Sequence, residues 1–230
     1  MTPKFIVSTL STAVALSLSA NAFAKDVTKE EKNFEQITVI GSASAINDIP
    51  GSATFIGEQE LEKFEYTDIS RVLSAVPGVY VQEEDGYGLR PNIGMRGTGT
   101  GRNDKISVME DGVLVAPAPY SAPSAYYFPT MGRMESIEVL KGAASVKYGP
   151  RTTGGVLNLV SRSLPTEGSK GLLNAELGSD GFYKGHAYFG KKKNNAAGLV
   201  EVFTYGADGF KDLPVGSDNT GFEKNDFLLK

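Results

Sequence analysis

Hydrophobic and polar positions along this chain follow three rhythms in turn. Residues 5–18 are an apolar run behind Lys4, interrupted by Ser and Thr and followed by Ala22-Phe23-Ala24. A short apolar stretch between a cation and a small-x-small triplet predicts an export signal over residues 1–24, because it falls short of the roughly 20 residues a spanning helix needs. Residues 25–34 are polar and predict a tail with little to bury. In Glu35-Gln36-Ile37-Thr38-Val39-Ile40-Gly41 an acidic residue precedes alternating β-branched residues, which suits either strand addition to a partner's sheet or the first strand of the next domain.

The middle of the chain mixes periods. Leu61, Phe64, Ile69, Val72 and Leu73 recur among charges at helical spacing and predict one or two short amphipathic helices within residues 58–73, with a break near 66–68 and Thr67 or Asp68 as a cap. Pro77-Gly78 ends them. Short strands are predicted at 79–82, 92–96, 106–110, 137–140 and 156–160, with a turn at Asp111-Gly112 and a helix-like segment at 143–148. The sum is a small mixed αβ domain whose long Gly/Pro loops are the natural place for a ligand.

After Leu164-Pro165-Thr166 the period becomes two. Residues 172–177, 182–189, 199–205 and 226–229 alternate, and Gly178-Ser179-Asp180-Gly181 is the clearest hairpin signal. Such alternation with recurring Phe and Tyr fits barrel strands between lipid and lumen, and equally a soluble sandwich. About four strands cannot close a plugged barrel of roughly 22, so on the barrel reading the chain is expected to be part of a protein about three times as long.

Composition removes other classes. The chain has 230 residues, 40% of them hydrophobic, and a net charge of −4. Its only basic run, Lys191–Lys193, is expected to cap a hairpin turn, and no nucleic-acid partner is expected. There is no cysteine, and His186 is the sole histidine. Thiolate, His-metal and triad chemistry thereby lose their usual groups, so no enzyme, resident metal or cofactor is expected. Gly97-Thr98-Gly99-Thr100-Gly101 lacks the Lys-Ser/Thr pair and strand-to-helix context of a phosphate loop, and reads as a hairpin tip.

Several motifs follow one another in order. They are residues 74–81, Leu89-Arg90-Pro91-Asn92-Ile93-Gly94-Met95-Arg96-Gly97, Met109-Glu110-Asp111-Gly112-Val113, residues 137–150 and residues 154–162. Together they resemble the plug domain of TonB-dependent outer-membrane receptors, and residues 89–96 and 115–127 look closest to the ferric dicitrate branch. The resemblance implies an α+β plug domain at 42–165 followed by the first antiparallel strands of a transmembrane β-barrel at 166–230. It implies a periplasmic tail at 25–41 ending in a TonB box, Glu35, Gln36, Ile37, Thr38, Val39 and Ile40, that pairs with TonB, which supplies the energy. It further implies that Arg96 and Lys141, with Arg151 and Arg162 as weaker candidates, pair with acidic residues of the barrel wall.

The expected cargo is a ferric chelate, with iron present only as part of it. Carboxylates of a citrate chelate are best held by Arg forks and by hydroxyl or amide donors. Arg102 and Asn103 at one loop tip, and Tyr120, Ser121, Ser124, Tyr126 and Tyr127 at another, are the binding candidates. Prolines in the second loop fix its backbone and preorganise those hydroxyls. Transducing members of the branch carry an extra signalling domain before the box; only residues 25–34 intervene here, so no transcriptional relay is expected. A receptor for another siderophore, haem or cobalamin, or a soluble exported β-rich binding module, are the alternatives.

Overall fold

Apolar spacing in the 58–73 segment yields two short helices rather than one, α1 (Glu58–Glu62) and α2 (Ile69–Leu73). Asp68 has extended backbone and its carboxylate accepts from the Ser70 amide at 2.8 Å, an N-cap that satisfies a donor the helix itself cannot. Ile69 and Leu73 of α2 are fully buried. The computed structural model describes residues 38–63, 65–99, 105–115, 127–210 and 220–230. The predicted export signal and tail, Glu35, Gln36, Ile37 and Phe64 lie outside them.

The helices cover a five-stranded sheet built from β1 (Ser52–Ile56), β4 (Ile106–Glu110), β5 (Val113–Leu114), β6 (Met134–Lys141) and β7 (Gly155–Ser161), in the order β1-β6-β7-β4-β5. β4 and β7 run parallel, and the other neighbours are antiparallel. A separate hairpin joins β2 (Val79–Gln82) to β3 (Asn92–Met95). The predicted turn at Asp111-Gly112 links β4 to β5, and both residues are left-handed (φ +49° and +77°), as a tight two-residue hairpin requires. The helix-like segment is a 3-10 helix, Ala143–Tyr148.

β6 and β7 are buried on both faces, which explains their continuous rather than alternating hydrophobicity. Ile137, Val139, Leu157, Leu159, Ile106 and Val108 pack with α2, Phe128 and Met131 in the main core. The opposite face holds a smaller cluster of Leu140, Val156, Met109 and Ala144, covered by Val39, Ile49 and Tyr148. Glu138 belongs to this second face and is 0% exposed.

The remaining strands form one antiparallel sheet, β8 (Ser169–Leu177), β9 (Tyr183–Lys193), β10 (Ala196–Ala207) and β11 (Phe222–Leu229), in the order β11-β10-β9-β8. Lys191–Lys193 end β9 and flank the hairpin turn as expected, and the turn itself is made by Asn194 and Asn195, with Asn194 left-handed (φ +55°). Asn tolerates that conformation better than a long cation does.

The two faces of this sheet are inverted relative to a water-soluble protein. Lys184, His186, Tyr188, Glu201, Phe203 and Tyr205 point toward the plug and are buried. Leu173, Ala187, Val202 and Phe227 stand in lateral register on the other face, where Leu173 is 86% exposed. No helix among the described residues is long and apolar enough to cross a membrane, which leaves strand crossing untouched.

Candidate functional site

Three consecutive backbone amides, of Val39 and Ile40 in the expected box and of Gly41 after it, converge on one side chain. Glu138 Oε2 accepts from Val39 N at 2.6 Å, and Oε1 accepts from Ile40 N at 3.1 Å and Gly41 N at 2.6 Å. Asn158, paired with Glu138 across β6 and β7, donates its Nδ2 to Oε2 at 2.8 Å. A carboxylate taken fully out of water is costly unless its lone pairs are met, and four donors meet them here. Tyr148 closes the site by donating its hydroxyl to Val39 O at 3.2 Å. Burial, then the nearby Glu138 charge, pushes the Tyr148 hydroxyl up. Gly41 is left-handed (φ +84°), which lets the chain turn away into the 3-10 helix Ala43–Asp48.

A second cluster joins the plug to the charged face of the strand sheet. Arg162, following β7, donates Nε to Glu201 of β10 at 3.1 Å and NH1 to Glu58 of α1 at 2.9 Å, while its guanidinium lies over the Tyr188 ring at 3.9 Å. Arg133 is held between Glu110 of β4 and Asp226 of β11, at 2.5 and 2.8 Å. Burial alone would lower the Arg133 value, but bonding to Asp226 and the charge of Glu110 raise it, so the guanidinium stays charged. Glu65 meets Lys184, Asn174 and His186, and His186 reaches Glu201 from its other ring nitrogen at 2.8 Å. Burial tends to raise the Glu65 carboxyl, yet hydrogen bonding to His186 and the Lys184 charge hold it below its ordinary value. Glu58 behaves alike, burial being outweighed by Lys170 and Arg162.

Chemically this seam is an array of charge-assisted hydrogen bonds backed by aromatic rings, with His186, Phe203, Tyr205 and Phe222 in successive contact along the inner wall. Directional polar bonds hold a plug firmly, yet can be exchanged for others, which a purely apolar seam cannot do. Among the described residues no cluster of His, Asp or Glu has a metal-holding arrangement.

The expected site residues fare differently. Thr38, Val39 and Ile40 are the described part of the expected box. Lys141 is buried and donates Nζ to Pro77 O at 2.6 Å; burial and the Arg96 charge lower its value. Arg96 lies beside Gly142 at the end of β6 and is exposed, as is Arg151. The ion pairs found across the seam run through Arg162, one of the weaker candidates, and through Arg133, Lys184 and Lys170. Arg102, Asn103, Tyr120, Ser121, Ser124 and Tyr126 lie outside the described residues. Arg133, Glu65 and Glu138 were not singled out by sequence reasoning; an acidic residue inside the apolar run Ile137–Leu140 was the available signal for the last.

Residues 45–156 match the family model of the TonB-dependent receptor plug domain. The chain is 30% identical over 224 residues to a vitamin B12 transporter, BtuB, of Photobacterium profundum, covering 95% of this chain and 36% of that protein. It is 32% identical over 160 residues to the iron-regulated outer membrane virulence protein of Vibrio cholerae serotype O1, covering 66% and 23%. Among solved structures, the ferric yersiniabactin uptake receptor FyuA of Yersinia pestis superposes with a TM-score of 0.61 at 22% identity, over 80% of this chain and 28% of that one, a likeness of fold. The chain thus spans well under half the length of the curated relatives it matches. The matched family comprises receptors and transporters, not enzymes. With the plug match running from the 3-10 helix before β1 into β7, and an antiparallel sheet with a charged plug-facing side docked beside it, this chain belongs to the TonB-dependent receptors.

Proposed function

We propose that the chain is the plug and first wall strands of an outer-membrane receptor that takes up a ferric chelate, with energy supplied by TonB. The observation that carries this reading is the inverted strand sheet: charged residues face the plug, and Leu173, Val202 and Phe227 stand exposed in one row on the other side. In water that outer row would be an aggregation liability; against lipid it is the stable arrangement. The chelate binds at the outer loops through Arg102, Asn103, Tyr120, Ser121, Ser124 and Tyr126. Binding shifts the plug against its polar seam, with Arg96, Lys141 and Arg151 pairing with further wall carboxylates. Residues 35–40 are then exposed to the periplasm and pair with TonB as an added strand. No group in this mechanism hydrolyses a nucleotide, so the work comes from the partner.

Ferric dicitrate is the proposed chelate, on the wording of residues 89–96 and 115–127. Cobalamin is the second reading, favoured by the long match to a protein named as a vitamin B12 transporter. Calorimetry of the intact receptor in detergent against ferric dicitrate, iron-free citrate, a ferric hydroxamate and cobalamin separates them. Saturable heat with ferric dicitrate alone supports the assignment, and Arg102→Ala then weakens it; heat with cobalamin alone overturns the chelate and leaves the receptor class.

A further inference from the structure

We infer that Glu138 is the catch of the box segment: the carboxylate that holds Val39, Ile40 and Gly41 sets how readily residues 35–40 become available for strand pairing. This rests on the reading of the chain as a TonB-energised receptor.

The argument starts from what the segment must do to pair. An added strand joins a partner's sheet through its backbone N–H and C=O groups. Here the amides of Val39, Ile40 and Gly41 already bond to Glu138, and the carbonyl of Val39 already accepts from Tyr148. A backbone donor cannot serve both partners at full strength. Pairing that reaches residues 39 and 40 and docking on Glu138 are therefore alternatives, and the equilibrium between them is governed from inside the plug.

Burial makes the two states discrete. Glu138 is wholly buried in the second face of the sheet, where Leu140 and Val156 pack under Val39 and Ile49. If the segment leaves, three of the four donors to a buried carboxylate go with it and water must enter in their place. Partial withdrawal is the worst case, since it strips donors before the site is open to solvent. The segment is thus held or released, with little between.

The catch is also tied to the rest of the plug. Asn158 supplies the fourth donor to Glu138 and accepts from the Gly112 amide at 2.9 Å, in the β4–β5 turn. Asn158 is itself fully buried, so the carboxylate is braced from behind by a side chain with no freedom to follow the departing segment.

The test is amide hydrogen exchange at residues 39–41 in the intact, unliganded receptor, together with its affinity for a soluble TonB fragment. Glu138→Gln keeps the shape but turns an acceptor into an amide donor facing N–H groups. It should speed exchange at 39–41 by about tenfold or more, while the β9–β10 amides stay unchanged, and should tighten TonB binding without ligand by a comparable factor. Tyr148→Phe removes only the bond to Val39 O and should give a smaller acceleration at the same amides. Wild-type exchange at 39–41 in a folded Glu138→Gln receptor overturns the inference, as does faster exchange with unaltered TonB affinity. If Glu138→Gln does not fold, unaltered exchange in Tyr148→Phe overturns it. A wild-type receptor that binds no TonB fragment under any condition contradicts the proposed function instead, and the exchange result still stands by itself.

Discussion

Glu65, in the plug segment between α1 and α2, meets the Nδ1 of His186 in wall strand β9 at 2.5 Å. The other ring nitrogen of His186 faces Glu201 of β10, so the ring lies between two carboxylates, and both bonds are satisfied when both nitrogens carry protons. The only histidine of the chain is thereby a rivet between plug and wall.

Acid should loosen this rivet. The carboxyls of Glu65 and Glu58 are held below their ordinary value of 4.5 in the folded protein. A depressed folded value gives stability that is complete above the unfolded value and is lost as pH falls through the folded one. Protection against amide exchange, relative to the intrinsic rate, should therefore be flat across residues 58–65 and 184–188 from neutral pH down to about 5 and fall below about 4.5. Protection that holds unchanged below about pH 4.5 would contradict the assignment.

Arg162 should be harder to replace than Glu65. Its guanidinium cannot shed a proton, and Arg162→Met leaves the buried Glu201 with His186 as its remaining charged partner. Loss of about 3 kcal/mol of plug stability is expected in denaturant titration of the purified receptor, with a smaller loss for Glu65→Gln, because His186 keeps Glu201 as its other partner. Equal and negligible losses would show that the seam is solvated.

Gly132 should tolerate no side chain. It lies in the 3-10 turn Met131–Arg133, and a Cβ there would come within 1.9 Å of the Phe203 ring on β10. Gly132→Ala should cost about 1–3 kcal/mol, and Phe203→Leu should recover part of it in the double mutant. Additive losses would mean that the turn and β10 do not touch.

Much of this architecture was legible in the sequence, and the reasons differ by element. Thr67-Asp68 announced the α2 cap because the pair directly precedes an apolar helical run, with the choice of Asp68 made by the structure, and Asp111-Gly112 announced its turn because few other pairs accept two left-handed residues. The start of β6 at Met134 was less legible, since Met-Gly-Arg-Met carries no strand period and is set by packing. The seam was only partly legible. Arg162 was noticed at the end of a motif, whereas Arg133 and Glu65 look like ordinary surface charges until strands more than 90 positions away arrive beside them. Glu138 shows the same limit, its three backbone donors lying 97–99 positions upstream.

The outer row separates a lipid face from a wet one. Val202→Arg or Phe227→Arg should cost about 2–4 kcal/mol of barrel stability in a bilayer and reduce assembly into the outer membrane. Thr204→Lys, further along the same face, should be milder if it lies nearer the interface. Membrane assembly of the Arg variants at wild-type level would contradict a lipid-facing row at Val202 and Phe227.

Uptake of radiolabelled ferric dicitrate by cells carrying the intact receptor, with and without TonB, tests the account most directly. Iron accumulation that needs both the receptor and TonB, and that falls when residues 35–40 are deleted, is the expected result. Accumulation that continues unchanged without TonB, or after deletion of those residues, would contradict it.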